Sequence, residues 1–247
     1  LFINLIFKSP EYFLLTYAVF LIIFLKPNNF FKEKFYFFNY KLLLITSTIA
    51  FPFIIVFFIN FSLYDGLRHV LWILPYFCII PALTIYYLIE NINSIKVKLI
   101  LSLLSLFIIY FLFNFFLITP YQYTYLNILN GKVEKRYKKF ENDYWNSSIK
   151  ELINKVNLNK EGKIVFASCG INQDIAKYYL KKKGYSNFTF GNAKDSNYII
   201  MTNRVTLDNK NIYKSENLIN CFDKFKGEDT FKVTRNGMLL SVIRKID

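Results

Sequence analysis

Four side chains in the first half of the chain could do chemistry on an anion. Asp65, Arg68 and His69 fall within SLYDGLRHVL (62–71), between two apolar runs, and His69 is the one histidine in 247 residues. If 65–69 forms one helical turn, Asp65 and His69 share a face at i, i+4, and Arg68 lies beside Asp65 at i, i+3. Asp65 would then orient Arg68, and Arg68 would grip a phosphate with two parallel N–H donors. His69 would donate to a phosphate oxygen or relay a proton. Lys8, in Lys8-Ser9-Pro10, would supply a second cation. Plainer roles stay open for all four: Arg68 snorkelling to headgroups, His69 as a helix-end residue, Asp65 capping the helix that follows, Lys8 anchoring a helix entry. Asp65 and His69 alone are too few ligands for a metal.

The elements that must hold these residues are apolar. Hydrophobic residues make up 54% of the chain and aromatics 20%, against about 45–50% apolar in an ordinary soluble domain. Residues 1–120 carry 8 Lys/Arg and 4 Asp/Glu, and residues 121–247 carry 23 and 13, so the net +14 splits as +4 and +10. Two kinds of protein are joined in one chain. The basic excess points to a membrane surface rather than to nucleic acid, and a Lys-, Asn-, Ile- and Phe-rich coding bias accounts for part of it. Four stretches approach the roughly 20 apolar residues of a membrane span: 10–26, 42–61, 70–89 and 99–118. Pro75 and Pro81 free backbone carbonyls in the third, which argues that it packs against protein or lines a cavity. Lys26, Lys32, Lys34 and Lys41 in one short loop, with Lys96 and Lys98 in another, put both loops in the cytoplasm. Segment 62–69 and everything after Thr119 then face the other side. Asn29–Tyr40 reads as an interfacial helix with Phe30, Phe31, Phe35 and Phe38 on one face. Tyr121, Tyr123 and Tyr125 read as an aromatic belt. The chain begins at Leu1 and LFINLIF reads as the end of an apolar segment, so it is expected to be the C-terminal part of a longer protein.

The expected fold class is mixed: an α-helical polytopic membrane domain (1–120), an interface connector (121–145) and a small soluble α/β domain (146–247). In the last, Ser148 and Glu151 form a capping-box pattern opening a helix to about Val156. KIVFA (163–167) and YIIMT (198–202) read as buried strands, and 172–183 as a helix stopped by Gly184. Asn236-Gly237 between apolar runs signals a type I′ hairpin. ASCG (167–170) is a strand-to-helix turn where an anion could sit, but one glycine reads better as an ordinary turn. Cys169 stands where a nucleophile could, without a tail histidine to activate it. Cys169 and Cys221 could pair, while Cys78 lies in an apolar run.

YDGLRHVLWILPYF (64–77) resembles the RH-containing loop and Pro-bearing helix of bacterial GT-C-type membrane glycosyltransferases, the polyprenyl-phosphate-sugar-dependent enzymes related to protein O-mannosyltransferases and to the aminoarabinose transferase of lipid A. KSP (8–10) is similar to their KTP-like element. TPYQYTYLN (119–127) and RYKKFENDYWNSSIKE (136–151) look like the segment after their last span. The resemblance implies transfer of a sugar from a lipid-phosphate carrier to a glycan, lipid or protein acceptor on the outer face of a bacterial inner membrane, with the tail in the periplasm. It implies Arg68, His69, Asp65 and Lys8 as carrier contacts, a catalytic carboxylate upstream of this chain, and no nucleic-acid partner. No cofactor is evident; the class admits a divalent metal, for which the residues define no site. Two other readings compete: a transporter or flippase component, and a membrane-anchored binding module. Spans two to four carry no charge in their interiors, which suits a surface-facing site better than a conduit.

Overall fold

The computed structural model describes residues 2–26, 29–59, 68–143, 145–159, 162–207 and 218–246. The architecture is mixed, and the chain divides into two compact units: 1–114 with 126–129, and 115–125 with 130–247. The segment expected to be a connector is thus shared between them.

The first unit is helical: α1 (Phe2–Lys8), α2 (Glu11–Leu25), α3 (Phe30–Lys34), α4 (Phe38–Phe58), α5 (Leu74–Glu90) and α6 (Ile95–Leu117). Three stretches are long and apolar enough to cross a membrane: Phe38–Ile55, Leu71–Glu90 and Ile95–Leu117. Each exposes large apolar side chains, with Leu44 68%, Ile89 56%, Leu99 67% and Phe113 64% exposed. A helix facing water would carry polar residues there. The expected first span is shorter than read: α2 has 15 residues, roughly 22 Å at 1.5 Å per residue, against a hydrocarbon core of about 30 Å.

Two further expectations change. The third span starts as a 3₁₀ turn (Arg68–Ile73), and Pro75 falls in the first turn of α5, where a missing N–H costs nothing. Only Pro81 is interior. The single interfacial helix of 29–40 is instead α3 and the start of α4, separated at Phe35–Phe37, with Phe37 at φ 54°. Phe31 and Phe38 stack across that break at 5.0 Å and are both buried. Phe31 and Phe38 pack from either side of the break into one core cluster with Val19, Phe20 and Ile80.

Helix order is fixed by contacts along their lengths. Phe13 and Tyr17 of α2 lie on Phe77 at the start of α5. Thr84 donates to the Thr16 carbonyl at 3.1 Å, and Phe30 meets Tyr87 at 5.0 Å near the end of α5. α2 and α5 therefore run parallel. Tyr12 meets Phe111 at 5.6 Å, so the start of α2 lies beside the last turns of α6.

The second unit contains α7 (Ile149–Lys155), β1 (Ile164–Cys169), α8 (Gln173–Lys182), β2 (Phe188–Phe190), β3 (Tyr198–Thr202), β4 (Val205–Leu207), β5 (Leu218–Asn220), α9 (Cys221–Lys224), β6 (Glu228–Arg235) and β7 (Met238–Lys245). The main sheet has the order β2-β1-β3-β7-β6. β1 pairs in parallel with β2 and β3, while β3, β7 and β6 pair antiparallel. β4 and β5 form a small separate ribbon. Asn236 (φ 47°) and Gly237 (φ 78°) give the left-handed pair that a type I′ turn needs. Cys221 and Phe222 of α9 pack with Ala167, Ile199, Met201 and Val242. Ser148, at the head of α7, bonds Ser241. Neighbouring strand residues point to opposite faces, so α7 and α9 cover opposite sides and the unit has three layers. Ile149, Leu152 and Ile153 of α7 are fully buried, each worth about 1.5–3 kcal/mol.

Candidate functional site

The KSP turn is built by the end of one helix and the start of the next. α1 stops at Lys8, and Pro10 (φ −59°) precedes α2 without a side-chain cap. The last carbonyls of a helix lack internal donors, and the buried Asn127 supplies them. Its Nδ2 donates to the Ile6 carbonyl at 2.6 Å and the Ser9 carbonyl at 2.9 Å, and its backbone N–H donates to Phe7 at 3.1 Å. Glu11 Oε1 accepts from the Ile128 N–H at 2.8 Å. Segment 126–129 thereby closes over residues 6–11 within the helical unit. Lys8 sits half-buried at this turn, and burial holds its ammonium below the usual lysine range. A partly desolvated cation attracts an anion more strongly than a solvated one.

The Arg68–Ile73 turn reaches the same end of the unit. Ile73 is fully buried with Leu5 of α1, and Phe53 and Phe77 pack around them. Since α2 and α5 are parallel, the turn that leads into α5 and the KSP turn that leads into α2 lie at one end. The structure thus brings Lys8 and the backbone of Arg68 and His69 to a common end, while Asp65 lies outside the described residues.

The α/β unit holds a second polar cluster, which the sequence did not announce. Asp143 is fully buried and accepts from the Ser147 N–H at 2.9 Å, the Ser148 N–H at 3.2 Å, and the Ser148 and Tyr123 hydroxyls. Desolvation raises its carboxyl above the ordinary range against the pull of these bonds. Ser148 makes no cap bond of its own, so the expected capping box is absent. Asp143 takes the role of holding the N–H groups at the head of α7. Glu151 turns instead to Arg235 (Oε2 to Nη2, 2.5 Å), Lys155 (3.1 Å) and the Tyr121 hydroxyl (2.9 Å). Partial desolvation raises Glu151, but these bonds together hold it below the usual carboxylate range. Tyr121 and Tyr123, expected as belt residues, direct their hydroxyls to these two carboxylates, and burial first, then the carboxylate partners, push both phenols up. With Pro120, Ser147, Lys150 and Asn154, Tyr121, Tyr123 and Glu151 line an open cavity of about 540 Å³.

The ASCG turn is filled by the protein itself. Gly170 has φ 75°, and an added Cβ would meet Arg204 at 2.6 Å. Its carbonyl accepts from Thr202 at 2.8 Å. Cys169 forms a disulfide with Cys221, which removes it as a nucleophile. Among the described residues, no group of three or more His, Cys, Asp or Glu side chains could hold a metal ion.

Fold and site together define a chain with an apolar helical unit, a basic-ended helix cluster and a disulfide-bonded α/β unit. No family model, no curated protein and no solved structure matches it.

Proposed function

We propose that this protein is an integral membrane protein that forms the carrier-binding part of a GT-C-type glycosyltransferase, acting with a polyprenyl-phosphate-linked sugar. One observation carries the reading. The KSP turn and the Arg68–Ile73 turn lie at one end of a parallel helix pair, and residues 126–129 clamp the KSP turn. Transfer from the carrier expels a lipid phosphate, so negative charge grows on the leaving oxygen, and cations placed there lower the barrier. Lys8 and Arg68 take that role, His69 donates to the phosphate or relays a proton, and Asp65 orients Arg68. The acceptor, a glycan, lipid or protein, needs a general base such as a carboxylate, a role assigned to none of these four residues. No cofactor is evident in this arrangement, and the class admits a divalent metal. The α/β unit lies on the outer, periplasmic side of a bacterial inner membrane, where the Cys169–Cys221 disulfide suits an oxidising compartment.

The test uses membranes containing the full protein and a radiolabelled polyprenyl-phosphate sugar. Arg68→Ala is expected to slow donor consumption at least about tenfold, roughly 1.4 kcal/mol, and Lys8→Ala to weaken binding of polyprenyl phosphate relative to polyprenol. Unchanged consumption together with equal binding of phosphate and alcohol would overturn the reading.

A further inference from the structure

The opposite end of the helical unit carries a second cavity, of about 500 Å³, within the range of small-ligand sites. Its wall is apolar: Ile23 of α2, Phe31 of α3, and Phe38 and Leu42 of α4. Its mouth is polar and basic, with Lys26, Lys32, Asn29 and Asn39. The break at Phe35–Phe37 lies between α3 and α4, and the Phe31 and Phe38 rings that stack across it both line the cavity. A third lysine at this end, Lys34, is engaged with Glu90 at 3.4 Å. Lys26 and Lys32 have no ion pair among the described residues. Tyr36, Phe37 and Tyr40 are 77%, 59% and 73% exposed beside them, as aromatic side chains are at a membrane–water boundary.

An apolar slot under two cations matches one ligand chemistry: an acyl chain below an anionic phosphate headgroup. We propose that this cavity selectively binds an anionic phospholipid at the end of the helical unit remote from Lys8 and Arg68. Asn29 and Asn39 supply hydrogen-bond donors for the headgroup oxygens. The plain alternative, that Lys26 only balances the carbonyl end of α2, leaves the Lys32 side of the mouth and the Phe31–Phe38 wall without a role. The inference rests on membrane placement of this unit, but not on the transferase chemistry.

The test titrates delipidated full-length protein in an uncharged detergent with phosphatidylglycerol and phosphatidylcholine of identical acyl chains, read by native mass spectrometry. Glycerol 3-phosphate is added as a competitor in a parallel arm. Phosphatidylglycerol is expected to bind at least about tenfold more tightly, a difference of roughly 1.4 kcal/mol. The Lys26→Ala/Lys32→Ala variant should lose that preference, and Lys34→Ala should keep it. Leu43→Trp, which fills the cavity, should weaken phosphatidylglycerol binding while both lysines remain. Equal affinity for the two lipids, or a preference that survives the double variant, overturns the proposal. Full displacement by glycerol 3-phosphate overturns the lipid assignment in favour of free phosphate. Carbonate extraction on the same preparation decides membrane placement separately, so a failure there is not confused with a failure of lipid selectivity.

Discussion

The Tyr17 hydroxyl of α2 donates to the Phe77 carbonyl of α5 at 2.5 Å, and Phe77 is the residue four positions before Pro81. Proline has no N–H, so within α5 this carbonyl lacks its i+4 donor. In an apolar surround such a carbonyl must find a donor on a neighbouring helix. Tyr17→Phe is expected to destabilise the helical unit by about 1–3 kcal/mol, the cost of a stranded buried acceptor. Pro81→Ala restores the internal donor, so in that background the same substitution should cost well under half as much. The double-mutant cycle in detergent-solubilised protein reads the coupling directly; equal costs in the two backgrounds would show that the two residues act independently.

The disulfide closes a 52-residue separation between the end of β1 and the start of α9. Cys221 and Phe222 belong to the packed face of the sheet, so the bond ties the β4–β5 ribbon and α9 to that core. Loop-closure entropy for this length is worth about 4 kcal/mol. Native protein is expected to offer one thiol to a maleimide, the exposed Cys78, and three after denaturation and reduction. Cys169→Ser/Cys221→Ser should lower the denaturant midpoint of the α/β unit. Three reactive thiols in the unreduced native protein would contradict the pairing.

Glu151 and Asp143 give opposite pH dependences. Glu151 has a folded pKa below its unfolded value of about 4.3, so its stabilisation is present above that value and disappears as pH falls through the folded pKa. Asp143 is raised by burial, so its contribution is complete below its unfolded pKa and is lost as pH rises through the folded one. Glu151→Gln removes only the first effect. It should cost about 1.5–3 kcal/mol near neutrality, as expected for hydrogen bonds to a charged group. The gap should close as the medium is taken below about pH 4. Denaturant melts of wild type and variant across that window check it: a gap independent of pH would mean that Arg235 and Tyr121 do not act on the ionised carboxylate.

Features written by neighbouring residues were legible in the sequence. The Asn236-Gly237 turn requires two left-handed residues side by side, and the helix read over 172–183 is α8, Gln173–Lys182; both are local chemistry. The apolar runs 163–167 and 198–202 declared the buried strands, the first of which extends to Cys169. What failed was local pattern outvoted by distant partners. Ser148 and Glu151 have capping-box spacing, but Arg235, 84 residues away, takes Glu151, and Asp143 takes the helix head. Tyr121 and Tyr123 follow a span as belt residues do, yet two carboxylates claim their hydroxyls. Phe31 and Phe38 fit one amphipathic helix by period, but they pack from either side of a break into one core with residues of α2 and α5. Asn127 closed a quoted motif, but nothing local gave it the clamp role, because its partners lie 118 and 121 positions away. Within the candidate site, the same kind of long-range clamp places Lys8, while the grouping of Asp65, Arg68 and His69 rests on the sequence.

Helix polarity groups the helix ends, and the lysine-rich loops then orient them. α2 and α5 run parallel, and the start of α2 meets Phe111 of α6, so the Lys8 turn, the Arg68 turn and that part of α6 share one end of the helical unit. The Lys34–Glu90 pair and the α5–α6 turn at 91–94 share the other. If lysine-rich loops stay in the cytoplasm, as the positive-inside rule has it, that second side is the cytoplasmic one. In a Cys78→Ser background, a cysteine at the exposed Lys182 is expected to react with a membrane-impermeant maleimide added to intact cells, and one at the exposed Lys96 only after permeabilisation. Reversed labelling would keep the helix order but invert the protein, placing the disulfide-bonded unit in the cytoplasm and removing the outer-face transferase reading. Labelling of both positions from outside would break the alternation itself, and with it the assignment of α4, α5 and α6 as spans.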